Sequence, residues 1–265
     1  MPDTRQKGVI TLTTGRSGSS WLGGLVNSAG TMGHSGEWLD MNILPKPRKS
    51  YSADGFFAHV ISAASSANGH FSMKIFPHHV QDTTAAFKVD ILRRAITTHD
   101  IKLLFLTRED RLGQAISLVR ARQTGKWGST AAQTSAQPQR YSFKRLCKAY
   151  FHIGKGYDFW RSYLAINDLT FEAFTYETLL ENPAPFLESH ARHFGVALPE
   201  APHSGLKIQR DDTTNTWRQR FLQDIAERGV HSGIYELEPP EAGLGNAVKV
   251  AFGHPLYPRH GGAKI

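Results

Sequence analysis

Val9-Ile10-Thr11-Leu12-Thr13-Thr14, followed by Gly15-Arg16-Ser17-Gly18-Ser19-Ser20-Trp21-Leu22, decides how this chain is read. The β-branched run predicts a buried strand, and the Gly/Ser stretch predicts a tight turn carrying one arginine. Trp21, Leu22, Leu25, Val26 and Ala29 then form one face of a helix that Gly30 stops. Strand, turn and helix in that order make an anion site. Backbone N–H groups of the turn and the helix N-terminus converge on one spot, and small side chains let a phosphate reach the main chain. Ser19 or Ser20 is expected to cap the helix as well as touch the anion. A Ser/Gly turn alone is what many surface loops show; its place between a strand and a helix favours the phosphate. The loop is not a Walker A motif, because no lysine stands near Gly18. It is not a dinucleotide fingerprint either, because the second glycine of Gly-x-Gly is missing. Arg16 instead offers a bidentate, non-titrating clamp for an oxyanion.

A second anion position lies further along. Residues 101–107 are a continuous apolar run, suited to a buried parallel strand, and Arg108 follows at its carboxyl end, where α/β sheets bind ligands. Asp110, Leu112, Ala115, Ile116 and Val119 mark an amphipathic helix. Ser117 stands nine residues after Arg108, about two and a half helical turns along. The plainer alternative is an arginine paired with Asp110 and a serine on a solvated face.

The rest of the chain continues a β-α alternation, which argues for a P-loop-like, mostly parallel β-sheet flanked by helices: an α/β fold. A helix is expected over 56–64, ending near Asn68-Gly69, then a strand over 71–76 stopped by Pro77. Helices follow over 85–96, 141–164 and 183–194, with a strand over 170–176. One domain spanning 1–265 is the simplest organisation. It carries irregular segments near 33–52 and 125–140 and an irregular tail from about 231. The net charge of +8 fits a polyanionic ligand. Lys and Arg are scattered without a basic run, which argues against a nucleic-acid partner. Cys147 is the one cysteine and reads as core. No signal peptide or transmembrane segment of twenty apolar residues is apparent, so a cytoplasmic protein is expected.

Arg16-Ser17-Gly18-Ser19-Ser20-Trp21 after a first strand resembles the 5′-phosphosulfate loop of sulfotransferases, which use 3′-phosphoadenosine 5′-phosphosulfate (PAPS). Leu103-Leu104-Phe105-Leu106-Thr107-Arg108 with Ser117 resembles that family's 3′-phosphate site. Phe174-Thr175-Tyr176-Glu177-Thr178-Leu179, with Pro183 beyond, resembles its strand ending in Tyr-Glu-x-Leu. Glu37 in Gly36-Glu37-Trp38-Leu39, and Gln114-Ala115-Ile116-Ser117, are most similar to the bacterial carbohydrate (trehalose-sulfotransferase-like) branch. The nine-residue Arg108–Ser117 spacing departs from the eight of many eukaryotic members. Trp217 and Phe221 resemble a closing Trp-x-x-x-Phe element, though an i, i+4 apolar pair is also ordinary core packing.

The resemblance implies cofactor-binding residues Arg16, Ser17, Gly18, Ser19, Ser20, Trp21, Arg108 and Ser117, and catalytic residues Glu37, Arg16 and Lys74. Arg16 and the loop amides would stabilise the leaving phosphate oxygen, Glu37 would be the base, and Lys74 would steady the sulfuryl group. Glu37 also reads as an ordinary surface glutamate, and Lys74 as an edge-strand lysine that discourages aggregation. His34, His78 and His79 are alternative bases. The His78-His79 pair has no third ligand at a convincing spacing, so no metal is expected. The implied acceptor is a hydroxyl on a carbohydrate or glycolipid, with Trp38 and Trp127 available for stacking, and a homodimer is possible in this family. Two other functions stay open: a P-loop kinase of a small hydroxyl compound, and a non-catalytic nucleotide- or glycan-binding protein.

Overall fold

In the computed structural model the described residues are 5–41, 52–127, 139–205 and 212–229. Strand β1 (Lys7–Leu12) runs beside β2 (Phe71–Ile75) and β3 (Asp100–Thr107), and β4 (Glu172–Thr175) joins the far side of β3. The order is β2-β1-β3-β4, and every pairing is parallel. Parallel pairing demands crossovers, and helices supply them. Between successive strands lie α1 (Ser19–Ser28), α2 (Ala53–Ala64), α3 (Pro77–Phe87), α4 (Ile91–Thr98), α5 (Arg111–Thr124) and α6 (Phe143–Ile166); α7 (Tyr176–Glu181), α8 (Ala184–Phe194) and α9 (Asp212–Arg228) follow β4.

The alternation of strand side chains sorts these helices onto two faces. Val9, Leu104 and Leu106 point into one core cluster with Leu22, Leu25 and Val26 of α1, Leu179 of α7, and Phe186, Leu187, Ala191 and Phe194 of α8. Phe105 points the other way, against Tyr157 of α6, whose Trp160 donates its indole N–H to the Thr13 carbonyl (2.7 Å). The buried stretches 9–12 of β1 and 103–106 of β3 have this cause: there both strands are covered on both faces. β1 feeds α1 and β2 on one side of itself while β3 lies on the other. The gap between the carboxyl ends of β1 and β3 is therefore the point where the chain direction diverges, the usual ligand crevice of such sheets.

Several element boundaries differ from the sequence reading. The helix expected over 85–96 is two helices: Lys88 adopts left-handed backbone (φ 57°), and Asp90 begins α4 by accepting the Arg93 amide (2.9 Å). Pro77 ends β2 and also opens α3, since a fixed φ and a missing N–H suit a first helical turn. The helix after Ser52 stops at Ala64 rather than near Asn68-Gly69. The strand expected over 170–176 ends at Thr175, which caps α7 through the Thr178 amide. Gly18, not Ser19 or Ser20, is the N-cap of α1.

The described residues belong to the compact unit Met1–Gly229; the tail expected from about 231, residues 42–51 and residues 128–138 lie outside them. Leu104→Ala, which empties a fully buried position, should lower unfolding free energy by about 2–5 kcal/mol. Ile166→Ala, at an exposed position, should change it by less than about 0.5 kcal/mol. Urea denaturation of the two variants checks both values.

Candidate active site

The loop after β1 is held from below. Thr13 Oγ1 is hydrogen-bonded to Ser17 Oγ (2.8 Å) and to the Leu106 carbonyl (2.7 Å), which ties the loop to β3. Gln114 of α5 donates to Thr14 Oγ1 (3.0 Å) and the Gly15 carbonyl (2.8 Å), and accepts from the Tyr157 hydroxyl (3.1 Å). That hydroxyl in turn accepts the Arg108 amide (3.0 Å). One buried relay thus joins the first anion position to the second. Burial pushes the Tyr157 hydroxyl pKa up, against the hydrogen bonds of Thr14, Gln114 and Arg108.

Two glycines are required by approach. Gly18 has φ 92°, and a Cβ there would meet the Tyr176 ring at 2.1 Å. At Gly113, a Cβ would meet an Asp110 carboxylate oxygen at 2.0 Å. The amides of Ser19 and Ser20, first in α1, have no acceptor within the helix and stand beside this loop.

Arg16, itself in left-handed backbone (φ 65°), sends its guanidinium away from α1 towards α5. It donates through Nε to Ser117 Oγ (2.9 Å) and also to the Trp127 carbonyl. Arg108 donates to the Arg16 carbonyl (3.3 Å), and its guanidinium lies 4.9 Å from the centre of the Tyr176 ring. Burial, then the charge of Arg108, lowers the Arg16 pKa, with Glu37 opposing.

Carboxylates orient this arginine pair. Glu177 accepts the amides of Glu109 (3.0 Å) and Asp110 (3.2 Å) and lies 3.9 Å from Arg108 Nε. Asp110 caps α5 through Gly113, lies 3.6 Å from Arg108 and accepts Arg218 of α9 through both oxygens (2.7 Å each). Arg16, Arg108, Asp110, Ser117, Arg120, Lys126 and Arg218 line a cavity of about 740 Å³. Arg120 and Lys126 fit a sequence reading in which Arg120, Arg122 and Lys126, running up to Trp127, line a cleft, with a solvated basic face as the plainer alternative; Arg218 is the cavity's addition. In the sequence Arg218 stands inside the Trp217–Phe221 element, and nothing local marked it as facing α5.

A second group lies on the other side of the loop. Lys74, on edge strand β2, is buried rather than solvated; its ammonium donates to Ser20 Oγ (2.6 Å) and lies 3.2 Å from Glu37. Glu37 arrives there because Gly36 pairs with Met73 of β2 in a single parallel bridge, and the Lys74 amide donates to the Gly36 carbonyl (2.9 Å).

His34 and His78 are exposed. His79 is buried, and burial first, with His78 second, pushes its pKa down to about 3. An imidazole so weakly basic suits proton abstraction less well than a carboxylate. A ring nitrogen of His79 and carboxylate oxygens of Glu37 and Asp40 nevertheless lie within 4.8 Å of one another. Ligand-type groups therefore do meet His79, from a segment that sequence spacing did not connect to it.

Other residues sit elsewhere. Ser17 is fully buried as a loop brace, and Ser19 is buried. Trp21 packs edge-on against Tyr176 (6.3 Å) on the core side, and its amide is taken by the Gly18 carbonyl. Trp217 and Phe221 are buried, with Trp217 against Tyr141 and Phe221 against Phe143. Trp127 is about half exposed beside Arg16, and Trp38 donates to the His34 carbonyl. Among the described residues no helix is long and apolar enough to cross a membrane.

The Stf0 sulphotransferase family model matches residues 8–224. No curated protein sequence matches the chain. Among solved structures, it is similar to a sulfotransferase from Alicyclobacillus acidocaldarius, at 11% identity over 86% of this chain and 95% of that one (TM-score 0.41). It is similar to the sulfotransferase domain of the Synechococcus PCC 7002 olefin synthase, at 16% identity over 95% and 96% (TM-score 0.42). A third likeness is to retinol dehydratase in complex with androsterone and the inactive cofactor PAP, at 14% identity over 91% and 84% (TM-score 0.39).

Burial opposes ionisation of Asp110, but Arg218, the Gly113 amide and Arg108 outweigh it and hold the carboxyl below its ordinary pKa. Its contribution to stability is therefore complete above the unfolded-state carboxylate pKa, about 4. That contribution is lost as pH falls through the lowered folded value. Asp110→Asn should be less stable than the parent near pH 7 by about 1 kcal/mol, allowing for solvent screening. The difference should begin to shrink as pH falls below about 4 and close below the lowered folded value, which thermal unfolding from pH 8 down into the acid range would measure.

Proposed function

Since the chain belongs to the Stf0 sulfotransferase family, we propose that it transfers the sulfuryl group of PAPS to a hydroxyl of a carbohydrate or glycolipid acceptor. One observation carries this reading: a cation-lined cavity and a Lys74–Ser20–Glu37 group flank the same loop. Arg108, Ser117 and Arg16 would hold the 3′-phosphate side in the cavity. The amides of Ser19 and Ser20, with Gly18 allowing close approach, would hold the 5′-phosphosulfate. Arg16 serves the cavity more directly than the leaving oxygen, because its guanidinium is directed to Ser117. Lys74 is then the cation nearest the transfer side of the loop.

The acceptor oxygen attacks sulfur as the bond from sulfur to the bridging phosphate oxygen breaks. The hydroxyl proton passes to Glu37, and adenosine 3′,5′-bisphosphate leaves. Lys74, hydrogen-bonded to Ser20 and paired with Glu37, can neutralise charge on the sulfuryl oxygens without moving far. A sulfuryl group carries less charge than a phosphoryl group, so these side chains are proposed to suffice without a divalent metal.

Calorimetry with adenosine 3′,5′-bisphosphate, with and without magnesium, tests the cofactor assignment. Micromolar, magnesium-independent binding is expected, weakened by at least about tenfold in Arg16→Ala and in Arg108→Ala. Preference for magnesium-ATP would replace the reading with a kinase. Glu37→Gln should keep bisphosphate affinity within about twofold while lowering kcat by about 10²–10⁴-fold, read by transfer of labelled sulfate. An unchanged kcat would remove Glu37 as the base.

A further inference from the structure

The transfer side of the loop continues into a group of basic side chains that the reaction above does not use. His79, gathered with Glu37 and Asp40, has its ring centre 4.4 Å from that of His78. His78 follows Pro77 at the start of α3. A Cβ at Gly156 of α6 would meet Pro77 at 3.6 Å and Thr14 at 2.7 Å, so this face of α6 lies against α3 and the loop. His152 stands one helical turn before Gly156, on the same face. Burial first, then the charges of Arg122, His78 and Lys155, lowers the His152 pKa. Helices α3, α5 and α6 therefore each bring basic side chains to one place, next to the Glu37 side of the loop.

His78, Arg122, His152 and Lys155 are all exposed, so a dissolved ligand can reach them. The helix beneath them is one-sided in charge. α6 carries Lys144, Arg145, Lys148, Lys155 and Arg161 against one carboxylate, Asp158, which is paired with Arg161 (2.8 Å). Cations massed in this way repel one another and focus a field that attracts anions. Arg122 offers a planar fork, Lys155 a compact ammonium, and each imidazole at least one N–H or an imidazolium. Two permanent charges with two further donors match an oxyanion of charge near −2, as a phosphate monoester is near pH 7. The two phosphates of PAPS are already assigned to the cavity and to the amides of Ser19 and Ser20. The remaining source of an anion on this side is the acceptor.

We propose that Arg122, His152 and Lys155, with His78, bind a phosphate group carried by the acceptor, so that the acceptor is a phosphorylated sugar or polyol and not a neutral one. The phosphate sits between α3 and α6 while the reacting hydroxyl of the same molecule reaches Glu37. This rests on the sulfotransferase reading and fixes the charge of the acceptor, which that reading leaves open.

Saturating adenosine 3′,5′-bisphosphate fills both cofactor phosphate positions, so any further response to phosphate belongs to the acceptor side. In that complex, glucose 6-phosphate should bind at least about tenfold more tightly than glucose by calorimetry. Arg122→Gln and Lys155→Gln should each remove most of this preference, with bisphosphate affinity retained as the check on folding. A measurement that needs no variant is the His152 titration followed by NMR. Its pKa should rise towards the ordinary histidine value of about 6.5 on adding glucose 6-phosphate, but not glucose, because an adjacent dianion favours the imidazolium. Inorganic phosphate should produce the same rise at higher concentration. Equal affinity for the two sugars, or an unmoved His152 pKa, overturns the subsite while leaving bisphosphate binding and the sulfotransferase reading in place. Binding to phosphatidylglycerol vesicles, with no His152 response to either soluble phosphate, would make this a membrane-facing surface and overturn it as well. Failure to bind the bisphosphate at all would remove the reading on which the subsite rests.

Discussion

Two arginines held side by side at the carboxyl edge of a parallel sheet are the constraint around which the rest is built. Arg16 and Arg108 repel each other and are both withdrawn from water, which together lower the Arg16 pKa. Such a pair is stable only if carboxylates and fixed dipoles surround it. Glu177 and Asp110 supply the charge, Tyr176 supplies a ring face, and the Arg16 carbonyl takes one donor from Arg108. Arg108 Nε, 3.9 Å from Glu177, still lacks a hydrogen-bond partner among the described residues. A bound dianion would complete what the protein leaves incomplete, and a pre-oriented clamp of this kind avoids reorganisation when the ligand arrives.

The elements that hold the pair also hold the loop. Gln114 and Tyr157 form one hydrogen-bonded relay from Gly15 to Arg108. Tyr176 lies under Gly18 so closely that no side chain fits there, and the same ring faces Arg108. A change on α7 or α6 is thereby felt at the loop after β1, although neither segment reads as part of it. The transfer side has a different support. Lys74 and Glu37 meet because a single bridge lays the segment after α1 along β2. Glu37 is placed by edge pairing, whereas Arg16 and Arg108 are placed by buried side-chain hydrogen bonds.

Much of the frame was legible because its signals are local. Apolar stretches at β1 and β3 announced strands covered on both faces, and an arginine follows the carboxyl end of each. The break at Lys88 and Asp90 was not legible, because a left-handed residue other than glycine carries no compositional mark. The capping serines were misplaced for a related reason: the backbone turn at Gly18, with φ 92°, puts the glycine at the cap and both serines inside the helix. Lys74 read equally well as an edge lysine, and its burial between Ser20 and Glu37 depends on a bridge of one residue pair that has no periodic signature.

By itself the sequence determined the α/β class, the parallel sheet, the strand–loop–helix order at β1 and the family resemblance. Each of these rests on residues close together in the chain, where hydrophobic period and turn chemistry act directly. Only the tertiary structure decided that the Arg16 guanidinium turns to Ser117 rather than to α1, that Arg218 secures Asp110, and that Asp40 and His79 gather beside Glu37. Those contacts join side chains from segments far apart in the chain. Their meeting depends on strand order, helix rotation and the direction of long side chains, none of which a local pattern encodes.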